Sequence, residues 1–559
     1  MSDGPGHYVF NLIRAAWLPV RRRSGAVERI PPWQITDGMA DDPFVAVAWP
    51  RPDFDGAAHE FLIGLLSTAA APEDDDAWAD WWLSPPAPDD LQRRFASLAH
   101  AFDLDGPGPR FLQDLDPLEG SEEKEVAALL IDAPGAQTLR NNADLFVKRG
   151  GVPVMCRAAA AMALFALSAY APAGGAGHRT SLRGGGPLTT LIAADQGDGR
   201  GTLWGRLWPN VESEEQVAER DGPVLRRDDH ETIFPWLVPT RTSNRKAGGR
   251  VTTPQDVHPL QVYWGMPRRI RLLFEEEDGR SCGLTGEHDS VVVRAYRTRN
   301  YGTDYSEGFS HPLTPYYRQN AKQTTRLPVH PRPGGISYRH WPGLVFPGDD
   351  GLREPAQVVR HWPERRNVVA RMRVVAFGYD MDNMKARAWV ESEMPLWLLS
   401  DEGARDMLRQ FVALATEGAG TVSRLLTRAV KAALFERPGD APGDFGFIAE
   451  RFYRATEAAF HGALDEAARS IESEPDADDP PVSVRKAWLP VMARAALRLF
   501  DEYAPSDGLE DRAMHRHVQA RFLLTLALAG RGAAGRSLFK DLGIPIPAPA
   551  RAREGGRAA

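Results

Sequence analysis

Apolar positions in the last third of the chain recur at helical spacing. Val422, Leu425, Leu426, Ala429, Val430 and Ala433 advance in steps of three and one, which puts them on one helix face. Ile448, Phe452, Ala455 and Ala459 repeat at four, three and four, Trp488, Met492, Ala495 and Leu499 do likewise, and Val518, Phe522 and Leu526 step by four. Breakers fall between these runs at Pro438–Gly443, Glu474–Pro481 and Pro505–Gly508. The pattern predicts a four-helix bundle over 395–545, with a short helix around Ser537–Leu542 near its end. The tail 546–559, rich in Pro, Ala, Gly and Arg, is expected to be disordered.

Residues 1–394 are patterned differently. Phe44–Trp49 and Leu129–Ile131 are short apolar runs suited to strands, whereas Glu60–Thr68 and Leu91–His100 have helical spacing. Val358–Val359, Val368–Val369 and Val374–Phe377 are β-branched runs predicted as strands that close this region. Frequent Pro and Gly cut it into short elements joined by long loops. The fold class that results is α+β: a mixed α/β domain over 1–394, then the helical bundle. No solenoid repeat is present, and the longest apolar stretches, such as Ala158–Ala173, fall short of the roughly 18 residues of a membrane span.

Composition narrows the function classes. With 67 Lys and Arg against 75 Asp and Glu, the net charge is −8, so a polyanion partner would have to be met by local clusters. Such clusters exist at Arg21–Arg23, at Arg241, Arg245, Lys246 and Arg250, at Arg268, Arg269 and Arg271, and at Arg318, Lys322 and Arg326. Each taken alone reads first as solvated loop charge. The two cysteines, Cys156 and Cys282, exclude a disulfide framework and suit a reducing cytosol; the first residues lack the basic and apolar regions of a signal peptide. A cytoplasmic protein without membrane contact is expected.

Candidate chemistry is sparse. The stretch from Ala171 to Pro187 is Gly-rich, but Gly177 is followed by His178 and Arg179 where a Walker A loop needs Lys and Ser or Thr opening a helix. Its glycines suit either a flexible loop or a close backbone approach to nucleic acid. Cys156 and Cys282 each begin a broken C-x-x-C pair, with Ala159 and Thr285 where the second sulfurs would stand, so neither metal nor cofactor is expected. No nucleophile elbow, zincin helix or dinucleotide fingerprint occurs. The rival to a binding protein is a metal-dependent enzyme using His258, His311 or His515 with nearby carboxylates, which would have to converge in one pocket.

A series of segments in fixed order goes further. It runs through Phe10-Asn-Leu-Ile-Arg-Ala-Ala-Trp-Leu-Pro-Val20, Phe61-Leu-Ile-Gly-Leu-Leu-Ser-Thr68, Pro109-Arg-Phe-Leu-Gln-Asp114 and Asn141-Asn-Ala-Asp-Leu-Phe-Val-Lys-Arg149. Ala160-Ala-Met-Ala-Leu-Phe165 and Gly174 to Thr190, with Leu182-Arg-Gly-Gly-Gly-Pro-Leu-Thr-Thr190 the most specific piece, complete it. The series resembles the large subunit, CasA, of the type I-E Cascade complex over almost the whole chain. The resemblance implies a non-catalytic subunit of a crRNA-guided assembly. Such a subunit contacts the other Cascade subunits and the crRNA 5′ handle, reads the protospacer-adjacent motif on double-stranded DNA, helps open the duplex for R-loop formation, and recruits a helicase-nuclease in antiviral defence.

The same resemblance assigns residues. The family's loop at the crRNA handle and backbone subunit falls on Phe146 and Val147, with Lys148 and Arg149 adding charge that favours phosphate. Its glycine loop for the minor groove falls on Ala173, Gly174, Gly175, Ala176 and Gly177. Its lysine finger falls on Arg299, with Arg297 as the alternative; a guanidinium keeps the cation and adds a planar donor fork. The wedge that splits the duplex falls on the hairpin Gly378–Lys385, where Asn383 stands in place of a Gln found in some members. An ordinary β-turn is the other account of that segment. Some members carry two complete C-x-x-C pairs, and their loss here implies that packing or hydrogen bonds replace a metal.

Overall fold

The computed structural model describes residues 9–547 except 145–148, 176, 222–227, 278–279, 349, 366–370, 398, 400 and 475–476. The chain divides into two compact units, one of Met1–Gly335 with Gly343–Leu396, the other of Ile336–Pro342 with Trp397–Ala559. Sequence pattern left 336–342 in the first unit. Tyr338 accounts for the difference, because its ring stacks on Phe460 with centroids 4.3 Å apart and its hydroxyl bonds Thr456 Oγ1 at 2.9 Å.

The first unit is organised around the helix Pro52–Ala69. Pro52 opens it at a position that needs no N–H, and Asp53 and Asp55 in the first turn complement its dipole. It is apolar on nearly every side and therefore buried. Phe61 lies at its centre with edge-on contacts to Trp17, Phe102, Phe111, Phe165 and Trp264 at 5.4–6.0 Å. The Ala-rich helix Arg157–Tyr170 is likewise buried along most of its length.

Two sheets matter for the site. In the first, the strand Met372–Asp382 pairs antiparallel with Lys385–Leu396 on one side and with Thr189–Ala194 on the other. In the second, Val291–Arg299 pairs antiparallel with Arg269–Glu276, and also with Glu122–Glu125 and Met155–Cys156. The strands at Phe44–Val47 and Val374–Phe377 and the helices at Glu60–Thr68 and Leu91–Phe95 agree with the pattern. Leu129 instead ends a short 3-10 turn, Val126–Leu129, and Val358–Val359 lie in the helix Gln357–His361. Both corrections have one cause: a short apolar run marks burial without fixing the backbone that carries it. Val368–Val369 lie outside the described residues.

The second unit holds the helices Glu402–Leu434, Gly446–Ser473, Val482–Tyr503 and Asp511–Leu528, then Gly532–Asp541. Val422, Leu426, Val430, Ile448, Phe452, Trp488, Met492 and Leu499 are buried, as the pattern requires. Ala455 is exposed because the inward stripe runs through Thr456, Phe460 and Leu464. The helix Asp511–Leu528 is turned relative to expectation: Val518 and Phe522 are 57% and 58% exposed, while His517, Ala520, Leu524 and Ala527 face inward. Residues 548–559 of the expected tail lie outside the described residues.

Candidate nucleic-acid interface

The Leu182–Thr190 segment is built around a buried ion pair. The Arg183 guanidinium donates to Glu60 Oε2 at 2.5 Å, to Thr189 Oγ1 at 3.0 Å and to Thr314 Oγ1 at 3.3 Å. Glu60 also accepts from Thr189 at 2.6 Å and from Tyr170 at 2.9 Å. Both charges are about 3% exposed, so each is tolerable only because the other and these hydroxyls are there. Tyr170 ends the helix that leads into the glycine loop, so the network fixes where that loop begins.

The glycines that follow Arg183 include two contact points. A Cβ on Gly185 would lie 2.6 Å from Pro172 Cα, and one on Gly186 would lie 2.5 Å from Met381 Cγ. Only glycine allows both approaches, with the result that the stem of the glycine loop and the hairpin strand pack on adjacent residues. The half-buried Arg268 closes the loop, donating to Pro172 O at 2.6 Å and to Arg179 O at 3.5 Å. Burial lowers the pKa of this guanidinium.

Within the loop, Ala173, Gly174 and Gly175 are exposed, and the Gly174 N–H donates to His178 O at 3.0 Å. Gly175 and Gly177 have φ of +56° and +88°, the left-handed region in which glycine carries no Cβ penalty. Gly177 O accepts from Tyr301 N at 3.0 Å, and a Cβ there would stand 2.7 Å from that nitrogen. Tyr301 is itself at φ +65° and 43% exposed, two residues beyond Arg299. Ser243 N donates in turn to Tyr301 O at 3.3 Å and Gly302 O at 3.2 Å, while Arg179 Nε donates to Ser243 Oγ at 3.1 Å. Three loops are thereby joined. Ala176 lies outside the described residues. Burial, with Arg268 and Lys124 nearby, holds the His178 imidazole down to about 4.

Arg299 ends its strand beside this junction. It is half-paired: the guanidinium meets Asp116 Oδ2 at 2.9 Å, Ser121 Oγ at 3.0 Å and Glu119 O at 3.4 Å, and the side chain remains 40% exposed. Arg297 faces Glu123 at 3.0 Å. Either would exchange an acid for a phosphate or base edge on meeting a duplex.

Asn383 and Met384 form the two-residue turn between Asp382 and Lys385, with φ of +47° and +64°. Both values positive is the turn that matches the twist of a hairpin. Asn383 Nδ2 donates to Asp382 Oδ1 at 3.1 Å, and Met384 is 62% exposed. The hairpin body is anchored where Tyr379 O–H donates to Asp53 at 2.7 Å and where Gly56 admits the rings of Phe377 and Trp389. Among the described residues no hydrogen bond joins Asn383 to the glycine loop; Gly186 and Met381 connect them.

Phe146, Val147 and Lys148 lie outside the described residues. Arg149 clasps both oxygens of Asp144 at 2.5 Å and also donates to Asn142 Oδ1 at 3.0 Å, which ties the two ends of that segment together. Cys156 and Cys282 are buried neighbours, and the Cys156 Sγ lies 3.8 Å from Thr285 Oγ1. Its hydrogen bond to Cys282, together with burial, raises the Cys156 pKa. Among the described residues no three His, Cys, Asp or Glu side chains are placed to hold a metal ion. His258 and His311 are buried and each accepts a backbone N–H through Nδ1, from Leu260 at 3.0 Å and Leu313 at 3.2 Å, whereas His515 belongs to the second unit. None of the helices among the described residues is long and apolar enough to cross a membrane.

Sequence reading placed Arg268 in a basic cluster, Tyr301 just beyond the finger and Met384 within the hairpin, but gave none of the three a role of its own. The Tyr301-Gly302 pair and the Asn383-Met384 pair are turn signals, but the positive φ of a non-glycine residue leaves no trace in composition.

The fold recurs in solved structures. CasA of Thermus thermophilus matches with a TM-score of 0.65 at 19% identity, covering 96% of this chain and 100% of that one. Thermobifida fusca Cse1 matches with a TM-score of 0.67 at 18% identity, covering 96% and 98%. A chain of a CRISPR RNA-guided surveillance complex matches with a TM-score of 0.61 at 17% identity, covering 92% and 99%. These structures share with this chain a mixed α/β region and a C-terminal set of helices. The model of the CRISPR-associated protein Cse1 family matches residues 11–499, and the chain belongs to that family, the CasA large subunits of type I-E Cascade, with a role in CRISPR defence.

Proposed function

We propose that this chain is the non-catalytic subunit that reads the protospacer-adjacent motif on double-stranded DNA within a crRNA-guided surveillance complex. The observation that carries this is the hydrogen-bonded junction of Gly177 with Tyr301, which sets an exposed glycine loop beside Arg299 while Gly186 meets the hairpin bearing Asn383. Backbone amides and small residues can enter a minor groove, whose edges carry a degenerate code, so reading by this loop tolerates several motifs. Arg299 supplies a cation for the groove. The Asn383–Met384 turn supplies an amide and an apolar tip for the first unstacked step, which costs a few kcal/mol that guide–target pairing offsets.

The chain's partners on this reading are the other Cascade subunits, the crRNA 5′ handle at Phe146–Arg149, the target duplex and a helicase-nuclease recruited after R-loop formation. The similarity to a chain of an RNA-guided surveillance complex supports the first two. The work is done in the cytoplasm without cofactor or metal. The test compares duplex binding by the guide-loaded complex with and without this chain, at fixed salt, on targets carrying or lacking a flanking motif. Motif-dependent binding that requires the chain, and that weakens with Arg299→Ala or Asn383→Ala, is expected. Binding indifferent to the chain overturns the reading.

A further inference from the structure

The turn Asn244–Gly249 is a rigid mount for two cations. Asn244 caps it through its side chain, the Ala247 and Gly249 N–H groups donate to Asn244 O at 2.9 and 2.8 Å, and Gly248 closes it at φ +78°. Gly249 is confined, since a Cβ there would lie 2.5 Å from Asn244 N. The turn is fastened to the candidate interface through Ser243, which bonds Tyr301 and Gly302 on one side and Arg179 on the other.

The charges around this junction are unequal in their freedom. Asp256 pairs with Arg241 at 3.5 Å and Arg250 at 3.1 Å, and Asp304 faces Arg179 at 3.4 Å. Arg245 and Lys246 are exposed, and neither side chain has a hydrogen-bonding or ionic partner among the described residues. Two unpaired cations held on a pinned turn have lost little of their attraction for phosphate to local acids. They follow Ser243 by two and three residues, and Ser243 is joined to Gly177 through Tyr301, so both cations stand on the hydrogen-bonded junction that holds the glycine loop.

We propose that Arg245 and Lys246 form a sequence-independent phosphate clamp on the duplex flanking the motif, separate from the groups that read its bases. The clamp rests on the motif-reading assignment above and adds a partner to its surface: the sugar-phosphate backbone. It sets affinity and register, not sequence preference.

The experiment measures the salt dependence of duplex binding by the guide-loaded complex carrying wild-type chain, Arg245→Ala/Lys246→Ala, or Arg245→Lys/Lys246→Arg, on motif-bearing and motif-lacking duplexes. Each lost phosphate contact lowers the slope of log K against log salt by about 0.9. The alanine pair is expected to lower it by about 1.8 on both duplexes, with the motif-to-non-motif affinity ratio unchanged, and the charge-retaining pair to keep the wild-type slope. Both positions are exposed, so thermal unfolding stays at the wild-type temperature. An unchanged slope with motif-dependent binding intact overturns the clamp and leaves motif reading standing. A lost motif ratio at unchanged slope also overturns it, as a sign that the turn acts only by positioning its neighbours. Binding that ignores the whole chain removes motif reading itself.

Discussion

The glycine loop and the hairpin tip are both exposed turns with left-handed residues, yet they are held by different means. The hairpin tip is fixed by its own two-residue turn and by the long ladder beneath it. Among its described residues the glycine loop's own bonds are short-range, from Gly174 N to His178 O and from His178 N to Gly175 O. Its place is set by Arg268 across its ends, by Tyr301 against Gly177, and by the Arg183–Glu60 network below its stem. On the proposed reading, the element that separates paired strands has a stiff support of its own, whereas the one that follows a groove is positioned by neighbours and still presents bare backbone.

The largest expected effect comes from removing the common support. Arg183→Met leaves Glu60 buried without its cation and is expected to cost about 3–5 kcal/mol, seen as a lower midpoint in denaturant unfolding. A loss below about 1 kcal/mol would mean that the hydroxyls alone hold the carboxylate. Gly177→Val and Gly175→Ala then separate the glycine loop from the hairpin. The first combines φ +88° with a clash at Tyr301 N and should cost about 1–3 kcal/mol, concentrated in hydrogen-exchange protection of Tyr301. The second meets open space at φ +56° and should cost on the order of 1 kcal/mol without touching Tyr301. Equal effects would show that the Gly177–Tyr301 bond does not position the loop.

Acid sharpens the contrast more gently. The folded pKa of His178 lies at about 4 against an ordinary 6.5, so between those values the unfolded chain binds more protons than the folded one. The contribution of His178 to stability is therefore complete above pH 6.5 and declines as pH falls toward 4. His178→Gln should flatten the fall in melting temperature across that window; an identical pH profile would refute the assignment. The smallest effect is at the tip. Met384→Gly removes a side chain from φ +64° and is expected to stabilise the hairpin by about 0.5–1 kcal/mol, while strand opening, followed by base-analogue fluorescence, slows.

What the sequence disclosed follows the same division. Helices whose inward stripe is made of large residues, such as Phe452 and Trp488, were legible from spacing. Asp511–Leu528 was not, because its apolar residues form two stripes and the inward one uses small Ala520 and Ala527. The glycine loop was visible as composition and its family likeness as motif order. Its junction with Tyr301 and Ser243 was hidden, since those partners are far away in the chain and the bonds of Gly177 to Tyr301 and of Tyr301 to Ser243 run through backbone atoms that every residue shares. The free cations Arg245 and Lys246 were visible only within a larger cluster; pairing by Asp256 is what distinguishes them from Arg241 and Arg250.

The most direct test of motif reading by this surface is the ratio of affinities for motif-bearing and motif-lacking duplexes, measured at one salt concentration with guide-loaded complex carrying Gly177→Val. The ratio is expected to fall toward one while affinity for the motif-lacking duplex holds. A ratio equal to that of the wild-type chain would contradict the account.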